Sequence, residues 1–515
     1  MPDELKTLDE LSRPGAVGYR LPTLHLPEPE VLPLSYGALP LRYLREEFGG
    51  PYRALKLPEL SERDVVRAFA NRGRANVSVD GADLYPLGSC TMIDTPHAAR
   101  RVDAFSGLHP WQPEETVQGA LGLMYRLERI LSEFGGAYKG TLQPAAGAHG
   151  ELTAMLMIAA YHRSRGEERS VVLIPDSAHG TNPATAAMAG YTVVAVKSDS
   201  TGRLSMDDLE SKLEEHGAKV AALMITQPNT YGIYDESLPR IAEAVHKRGG
   251  EVYCDGANFA ALTGRVLLGQ LGVDAFHFNL HKTFGVPHGG GGPGAGFVGI
   301  AEHLAPFLPV PLIEQNIDGL FVLSYDRPSS IGTVSSAFGN FLADVMAYQY
   351  IHLMGDDGFR EASAVSVLAG NYMHRLLGEV LEPAFPGLVA HEGIVRATAL
   401  EALTVNTGGK ERRLNVTDLA KGLISRLGLG IFHAPTIGWP VHDGLLTEPT
   451  HSASKGAMDR FAAQVEYVMA MARADPEWLA RAPYGTPSSR IQGTPQEAEA
   501  NRKPVLTWDM SAKPK

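Results

Sequence analysis

From Val171 onward, short apolar runs alternate with helical stretches, and this alternation restricts the available folds more than any other feature of the chain. The runs are VVLIP from Val171, TVVAV from Thr192, VAALMIT from Val220, EVYCD from Glu251 and DAFHFNL from Asp274. Between some of them lie amphipathic segments, MDDLESKLEEHG and ESLPRIAEAVHKRGG. Continuous β-branched runs separated by helices are the pattern of strands buried on both faces, which predicts a mostly parallel α/β sheet. Ligands of such sheets lie beyond the carboxyl ends of the strands, so functional residues are sought there.

The flanks have a different texture. Before residue 60, Pro22, Pro27, Pro29, Pro33, Pro40, Pro51 and Pro58 interrupt any periodicity, which predicts an extended arm that wraps a homodimer mate or a partner subunit. Val117, Leu121, Met124, Leu127, Ile130, Leu131 and Phe134 have helical spacing, with Gly135 and Gly136 as the stop. Beyond about residue 340, longer helical stretches such as DRFAAQVEYVMAMARA surround LEALTVN and IGWPV, the texture of a smaller α+β domain, and the tail from Ala482 reads as irregular. The expected division is an N-terminal arm with helices over 1–85, a large α/β domain over 86–335 and a small C-terminal domain over 336–515.

Charge and cysteine content narrow the function classes. With 46 basic and 58 acidic residues the net charge is −12, and no stripe of Lys and Arg could track a phosphate backbone, so nucleic acid is not an expected partner. Cys90 and Cys254 form neither a disulfide framework nor a zinc pattern, which points to a reducing compartment. The acidic start lacks an apolar leader, and no run of 18 apolar residues occurs, so a cytoplasmic protein without a membrane span is expected.

The chemistry concentrates at strand ends. Phe278-Asn279-Leu280-His281-Lys282 closes one apolar run, and a lysine beside an apolar strand end is costly to bury charged, which favours the neutral amine that a Schiff base needs. Val252-Tyr253-Cys254-Asp255-Gly256-Ala257 puts a carboxylate at the tip of another. An aspartate there can hold a pyridinium nitrogen protonated so that pyridoxal phosphate (PLP) accepts electrons, with Ala257 flat beneath the ring. Upstream, Ala146, Gly147 and Ala148 open the helix ELTAMLMIAAYH, where bare N–H groups and the helix dipole make a phosphate seat. His149 is then placed to stack on the ring. The GxGxxG of Gly289, Gly291 and Gly294 does not read as a dinucleotide site, because Pro293 interrupts it and a strand, FVGIA, follows. His277, His281 and His288 lack a carboxylate partner at helical spacing, so no metal is expected.

Several longer segments resemble a known family. Pro86-Leu87-Gly88-Ser89-Cys90-Thr91-Met92, His109-Pro110, QPAAGAHGELTA, IPDSAHGTNPATAAMAG, DGANFAAL, NLHKTF and PHGGGGPGAG are similar to the glycine cleavage system P-protein, and most closely to its separate PLP-carrying form, glycine dehydrogenase (decarboxylating) subunit 2. The resemblance runs from about Leu11 to about Ala470. It implies a fold-type I, aspartate aminotransferase-like PLP enzyme with the cofactor on Lys282, with His149, Asp255 and Ala257 as ring contacts, and with Thr226, Asn279 and His281 among the cofactor-binding residues. It further implies a small amino-acid substrate, a homodimer or larger oligomer, and a partner subunit or lipoylated carrier protein.

The departures from the family pattern fall beside those motifs. Ile93, Ser329, Thr333 and Ser335 stand where basic residues are common, and Gln227 stands in place of an asparagine after Thr226. From these losses the expectation is a repurposed enzyme, forming a quinonoid on a non-glycine amino acid for elimination, replacement or C–C bond formation. Glycine decarboxylation is the alternative, and a noncatalytic partner subunit is a third reading, which Lys282 opposes.

Overall fold

The protein, described from a computed structural model, is defined over residues 60–75, 96–102, 112–286, 294–335, 339–407, 409–427 and 444–484, together with 11, 84, 105 and 441. The proline-rich arm, Cys90, Ile93, the glycine run from Gly289, most of IGWPV and the tail beyond 484 lie outside the described residues.

The chain divides into two compact units. One comprises residues 1–77 and 483–515 and contains helix α1 (Glu62–Ala75), where Leu60, Val65 and Ala68 pack with Leu11. The other, Ser78–Ala482, holds everything that follows.

The predicted helix after Val117 forms as α2 (Gln118–Gly135), which buries Leu121, Met124, Leu127 and Leu131 and ends on Gly136 at φ 73°, a left-handed conformation suited to glycine. Next come β1 (Lys139–Thr141) and α3 (Gly147–Ser164). The apolar runs then appear in sequence as β2 (Val171–Pro175), β3 (Thr192–Val196), β4 (Val220–Thr226), β5 (Glu251–Gly256) and β6 (Ala275–Asn279). The amphipathic segments supply α5 (Met206–His216) and α6 (Leu238–His246), and α4 (Thr181–Met188) follows β2. Strand β7 (Gly296–Ile300) completes a seven-stranded sheet of order β1-β7-β6-β5-β4-β2-β3.

Strands β2 to β6 are mutually parallel, whereas β7 pairs antiparallel with both β6 and β1. Strands β2, β5 and β6 are buried along their whole length, as continuous apolar runs predict. Strand β3 departs from that expectation: it is the sheet edge, and Thr192 and Ala195 are exposed. Close approach shapes the interior around β6. The Phe276 ring occupies the space a Cβ would need on Gly135, 2.0 Å away, or on Gly299, 2.5 Å away.

After the hairpin β8 (Leu312–Gln315) and β9 (Phe321–Ser324), the long helix α7 (Phe341–Gly378) kinks at Gly355, where φ is 59°. Its first half packs into the sheet's core through Phe341, Val345 and Phe359, and its second half packs into another core through Ala369, Met373 and Leu377. That second core is built on β11 (Gly393–Arg396), β12 (Thr404–Thr407), α8 (Val416–Leu427), β14 (Gly444–Thr447), α9 (Lys455–Ala474) and α10 (Pro476–Arg481), with the short strands β10 (Glu382–Pro383) and β13 (Lys410–Arg413) paired to β11 and β12 outside it.

Candidate active site

At the carboxyl ends of β4, β5 and β6 lies a cavity of about 300 Å³. Of the residues singled out from sequence, Ala146, Gly147, Ala148, Thr226, Asp255, Ala257, Asn279, His281 and Lys282 all line it. His149 does not: its Nδ1 accepts the Ala145 N–H at 3.2 Å, and the histidine that lines the cavity from the end of β2 is His179.

Each group is positioned by a local cause. Asp255 ends β5, its Oδ1 accepting the Ala257 N–H at 2.9 Å and its Oδ2 the Asn182 side-chain amide at 3.1 Å. Burial pushes its carboxyl up, but His277 beside it, those two amides and Lys282 together hold it below the usual range. His277 lies on β6 with Nε2 3.6 Å from Asp255 and Nδ1 2.5 Å from the Tyr253 hydroxyl, and burial pulls its ring down. Lys282 sits in the turn after β6, where its N–H donates to the Asn279 carbonyl at 3.1 Å. The start of α3 approaches Asn279 so closely that a Cβ on Gly147 would lie 2.3 Å from its side-chain oxygen.

The second core contributes the far wall. His391 and Glu392 precede β11, and Glu448 follows β14, one step beyond the paired Gly393 and Thr447. Two glutamates thus stand side by side in the interior, an arrangement that opposes stability in an antiparallel pair. Burial, then the Glu448 carboxylate, pushes Glu392 well up, while burial and Lys282 pull His391 down to about 3. Asn258 donates to Glu448 Oε1 at 2.8 Å.

Several buried polar atoms at this end of the sheet have no hydrogen-bond partner in the protein: Thr226 Oγ1, Asn279 Oδ1, His277 Nε2, both ring nitrogens of His391 and Glu392 Oε2. Such atoms are rare in folded proteins, and their concentration around one cavity is the mark of a ligand site.

The described departures from the family pattern do not line the cavity. Ser329, Thr333 and Ser335 are not among the cavity's lining residues, and the Thr333 hydroxyl donates to the Val310 carbonyl at 2.9 Å. Gln227 braces a loop, donating to the Asp235 carbonyl at 2.7 Å and accepting the Asp235 N–H at 3.0 Å. Sequence reasoning missed His179, Glu151, His391 and Glu392 as lining residues. The rule that ligands meet carboxyl ends of strands, applied to the residues just after β2, would have reached His179.

Comparison with known proteins places these features in context. A family model described as Glycine dehydrogenase, C-terminal domain matches residues 362–477, and one described as Aminotransferase class-V matches 148–305. Proteins named probable glycine dehydrogenase (decarboxylating) subunit 2 align over almost the whole chain. That of Kosmotoga olearia is 44% identical over 98% of this chain and 99% of its own length. That of Bacillus velezensis is 41% identical over 97% of this chain and 96% of its own. Among solved structures, an inhibitor-bound glycine decarboxylase (P-protein) of the glycine cleavage system superposes with a TM-score of 0.67 at 22% identity, covering 83% of this chain and 94% of that one. Oryza sativa TDC with PLP and tryptamine gives 0.60 at 13%, over 86% and 92%.

Proposed function

The chain belongs to the glycine dehydrogenase (decarboxylating) subunit 2 family, and from that premise we propose that it is the PLP-carrying subunit of a glycine-decarboxylating enzyme. It is a PLP-dependent enzyme of the fold-type I architecture. The observation that carries the reading is one cavity at the strand ends lined by Lys282, Asp255 and the N-terminus of α3.

The residues fit the cofactor. The amine of Lys282, the ionised carboxyl of Asp255, a helix start with no room for a side chain at Gly147, and the unpartnered Thr226 Oγ1 and Asn279 Oδ1 match in kind an aldehyde, a pyridinium nitrogen and a phosphate. When bound, PLP supplies an electron sink for the pair released at the α-carbon as a carboxylate leaves. In this proposal Lys282 Nζ attaches the cofactor, and Asp255 holds a proton on its ring nitrogen. Gly147 and Ala148, with Thr226, Asn279 and His281, receive the phosphate, and Ala257 leaves space beneath the ring. The stacking role expected of His149 passes to His179, which lines the cavity. The wall of His391 and Glu392 faces the substrate side, where burial favours the protonated form of Glu392, which can give a proton and, as the carboxylate that remains, take one back.

Glycine is preferred to the repurposed reading for two reasons. The relatives at 41–44% identity carry the glycine dehydrogenase name over nearly the full chain. The expectation of another amino acid rested on lost charges, and the described positions Ser329, Thr333 and Ser335 do not line the cavity. The proposal includes a homodimer or larger oligomer, a partner subunit and a lipoylated carrier that accepts the aminomethyl group, all in the cytoplasm. No helix among the described residues is long and apolar enough to cross a membrane.

The test is exchange of labelled bicarbonate into the carboxyl of glycine, with PLP, lipoylated carrier and the subunit 1 partner present. Robust exchange is expected. No exchange with glycine, alongside turnover of a larger amino acid, would return the repurposed reading.

A further inference from the structure

The cavity wall carries a further carboxylate that the chemistry above leaves unused. Glu151, at the start of the second turn of α3, is only 3% exposed. Its Oε1 accepts the Thr181 hydroxyl at 2.6 Å, and its Oε2 lies 2.9 Å from the Asn182 amide nitrogen and 3.0 Å from the Thr185 hydroxyl. Two of these partners reach onward. The same Asn182 nitrogen donates to Asp255 Oδ2 at 3.1 Å, and the same Thr181 hydroxyl lies 2.9 Å from His179 Nδ1. The Thr181 N–H also donates to His179 Nδ1 at 3.2 Å, so that nitrogen accepts, and the single Thr181 hydroxyl proton reaches it only when a protonated Glu151 donates to Thr181 Oγ1 in turn.

We propose that Glu151 is a positioning residue for both groups that meet the cofactor ring, fixing Asp255 through the shared Asn182 amide and His179 through the Thr181 hydroxyl. The inference rests on the PLP reading above and extends it. A buried carboxyl placed one amide from another opposes folding unless the pairing serves the site, because like charges in the interior repel. Asn182 is fully buried and is the bridge; without Glu151, its amide has one acceptor fewer and Asp255 one constraint fewer.

The network accommodates a proton as well as a charge. Thr185 has one hydroxyl proton and three acceptors in reach: Glu151 Oε2, the Thr181 carbonyl at 2.9 Å and the Asn182 carbonyl at 3.1 Å. With Glu151 ionised, Thr181 and Thr185 both donate to it; with Glu151 protonated on Oε2 it donates to Thr185, whose own proton turns to a carbonyl, and protonated on Oε1 it donates to Thr181, whose own proton turns to His179 Nδ1. The groups facing Glu151 are Asp255 and Tyr253 on β5, His277 on β6, His179 and the two threonines around α4, and Lys282 across the cavity. Burial and Asp255 push the Glu151 carboxyl up to about 7, so its charge changes near neutral pH.

The experiment compares PLP-reconstituted wild type with Glu151→Gln and Glu151→Ala. It measures cofactor absorbance, visible circular dichroism of the bound cofactor against pH, and exchange kinetics. Wild type is expected to show a dichroic band whose pH profile inflects near 7. Glu151→Gln keeps the band but loses the inflection, and exchange falls about tenfold in kcat, the lower end for groups that orient a direct contact. Glu151→Ala weakens the band and costs about 100-fold in kcat with KM little changed. Dichroism, pH profile and kcat equal to wild type in Glu151→Gln overturn the proposal, even if Glu151→Ala fails to fold. Absence of any borohydride-fixed cofactor in wild type overturns instead the PLP reading beneath it.

Discussion

Histidines and carboxylates meet at both ends of strands β5 and β6, and the two ends are built on opposite principles. At the amino ends, Glu251 accepts His303 Nε2 at 2.7 Å and Asp274 accepts His246 Nε2 at 2.7 Å. Asp274 also accepts the Val252 N–H at 2.7 Å. These bonds push both histidines up, and the cluster is satisfied by its own members. At the carboxyl ends, Asp255 and His277 stand 3.6 Å apart, burial pulls the histidine down, and His277 Nε2, Thr226 Oγ1 and Asn279 Oδ1 have no hydrogen-bond partner in the protein. Each buried polar group left unmatched opposes folding by about 1–3 kcal/mol. The same residue types therefore serve structure where they satisfy one another and serve a ligand where they do not.

The sharpest break of this contrast is Lys282→Ala. The folded variant should show no borohydride-fixed PLP and only background exchange, whereas any substitution at the amino-end cluster should leave both intact. Asp255→Asn should keep PLP yet lose on the order of 3 kcal/mol of transition-state stabilisation, read as a fall of about 100-fold in kcat.

The next effect is on stability against pH. Because Glu151 is raised from 4.5 to about 7, its contribution is fully present below pH 4.5 and is lost as pH rises through about 7. Chemical denaturation of the apo-protein should show Glu151→Gln gaining on wild type across that window by on the order of 3 kcal/mol at most. At the other end the sign is the same and the window higher: the raised His246 and His303 stabilise fully below 6.5, and the gain fades as pH rises through their folded values. Asp274→Asn should cost about 1–3 kcal/mol below that window and leave glycine exchange unchanged. The smallest effect is expected for Ser329→Lys, an exposed position, with stability within about 0.5 kcal/mol and unaltered exchange. A large gain in exchange there would give the family's basic residues a role that this chain's cavity does not display.

Much of this was legible beforehand because it depends on local pattern. Continuous apolar runs define β2, β4, β5 and β6, and an apolar strand ending in Asp or Lys locates Asp255 and Lys282 without knowledge of the rest. What escaped depends on distance in space. Nothing local distinguishes His149 from His179: one opens α3 and the other precedes α4, and only the sheet order, which puts β2 beside β4, brings His179 to the cavity. His391 and Glu392 lie more than 100 residues beyond Lys282, and their arrival is decided by how α7 carries the chain back. The exposure of β3 is likewise a consequence of strand order, not of its own valines.

The crowding at Phe276 reaches beyond the folded molecule to its descent. With a Cβ on Gly135 falling 2.0 Å from that ring and one on Gly299 falling 2.5 Å from it, the three positions are not independent letters. An alanine at either glycine is open only to a lineage that has already exchanged the phenylalanine for something smaller, and that intermediate carries a void in the core until the second change fills it. Drift through this part of the sheet must therefore proceed in ordered pairs, and the glycines will outlast neighbours that touch far fewer atoms.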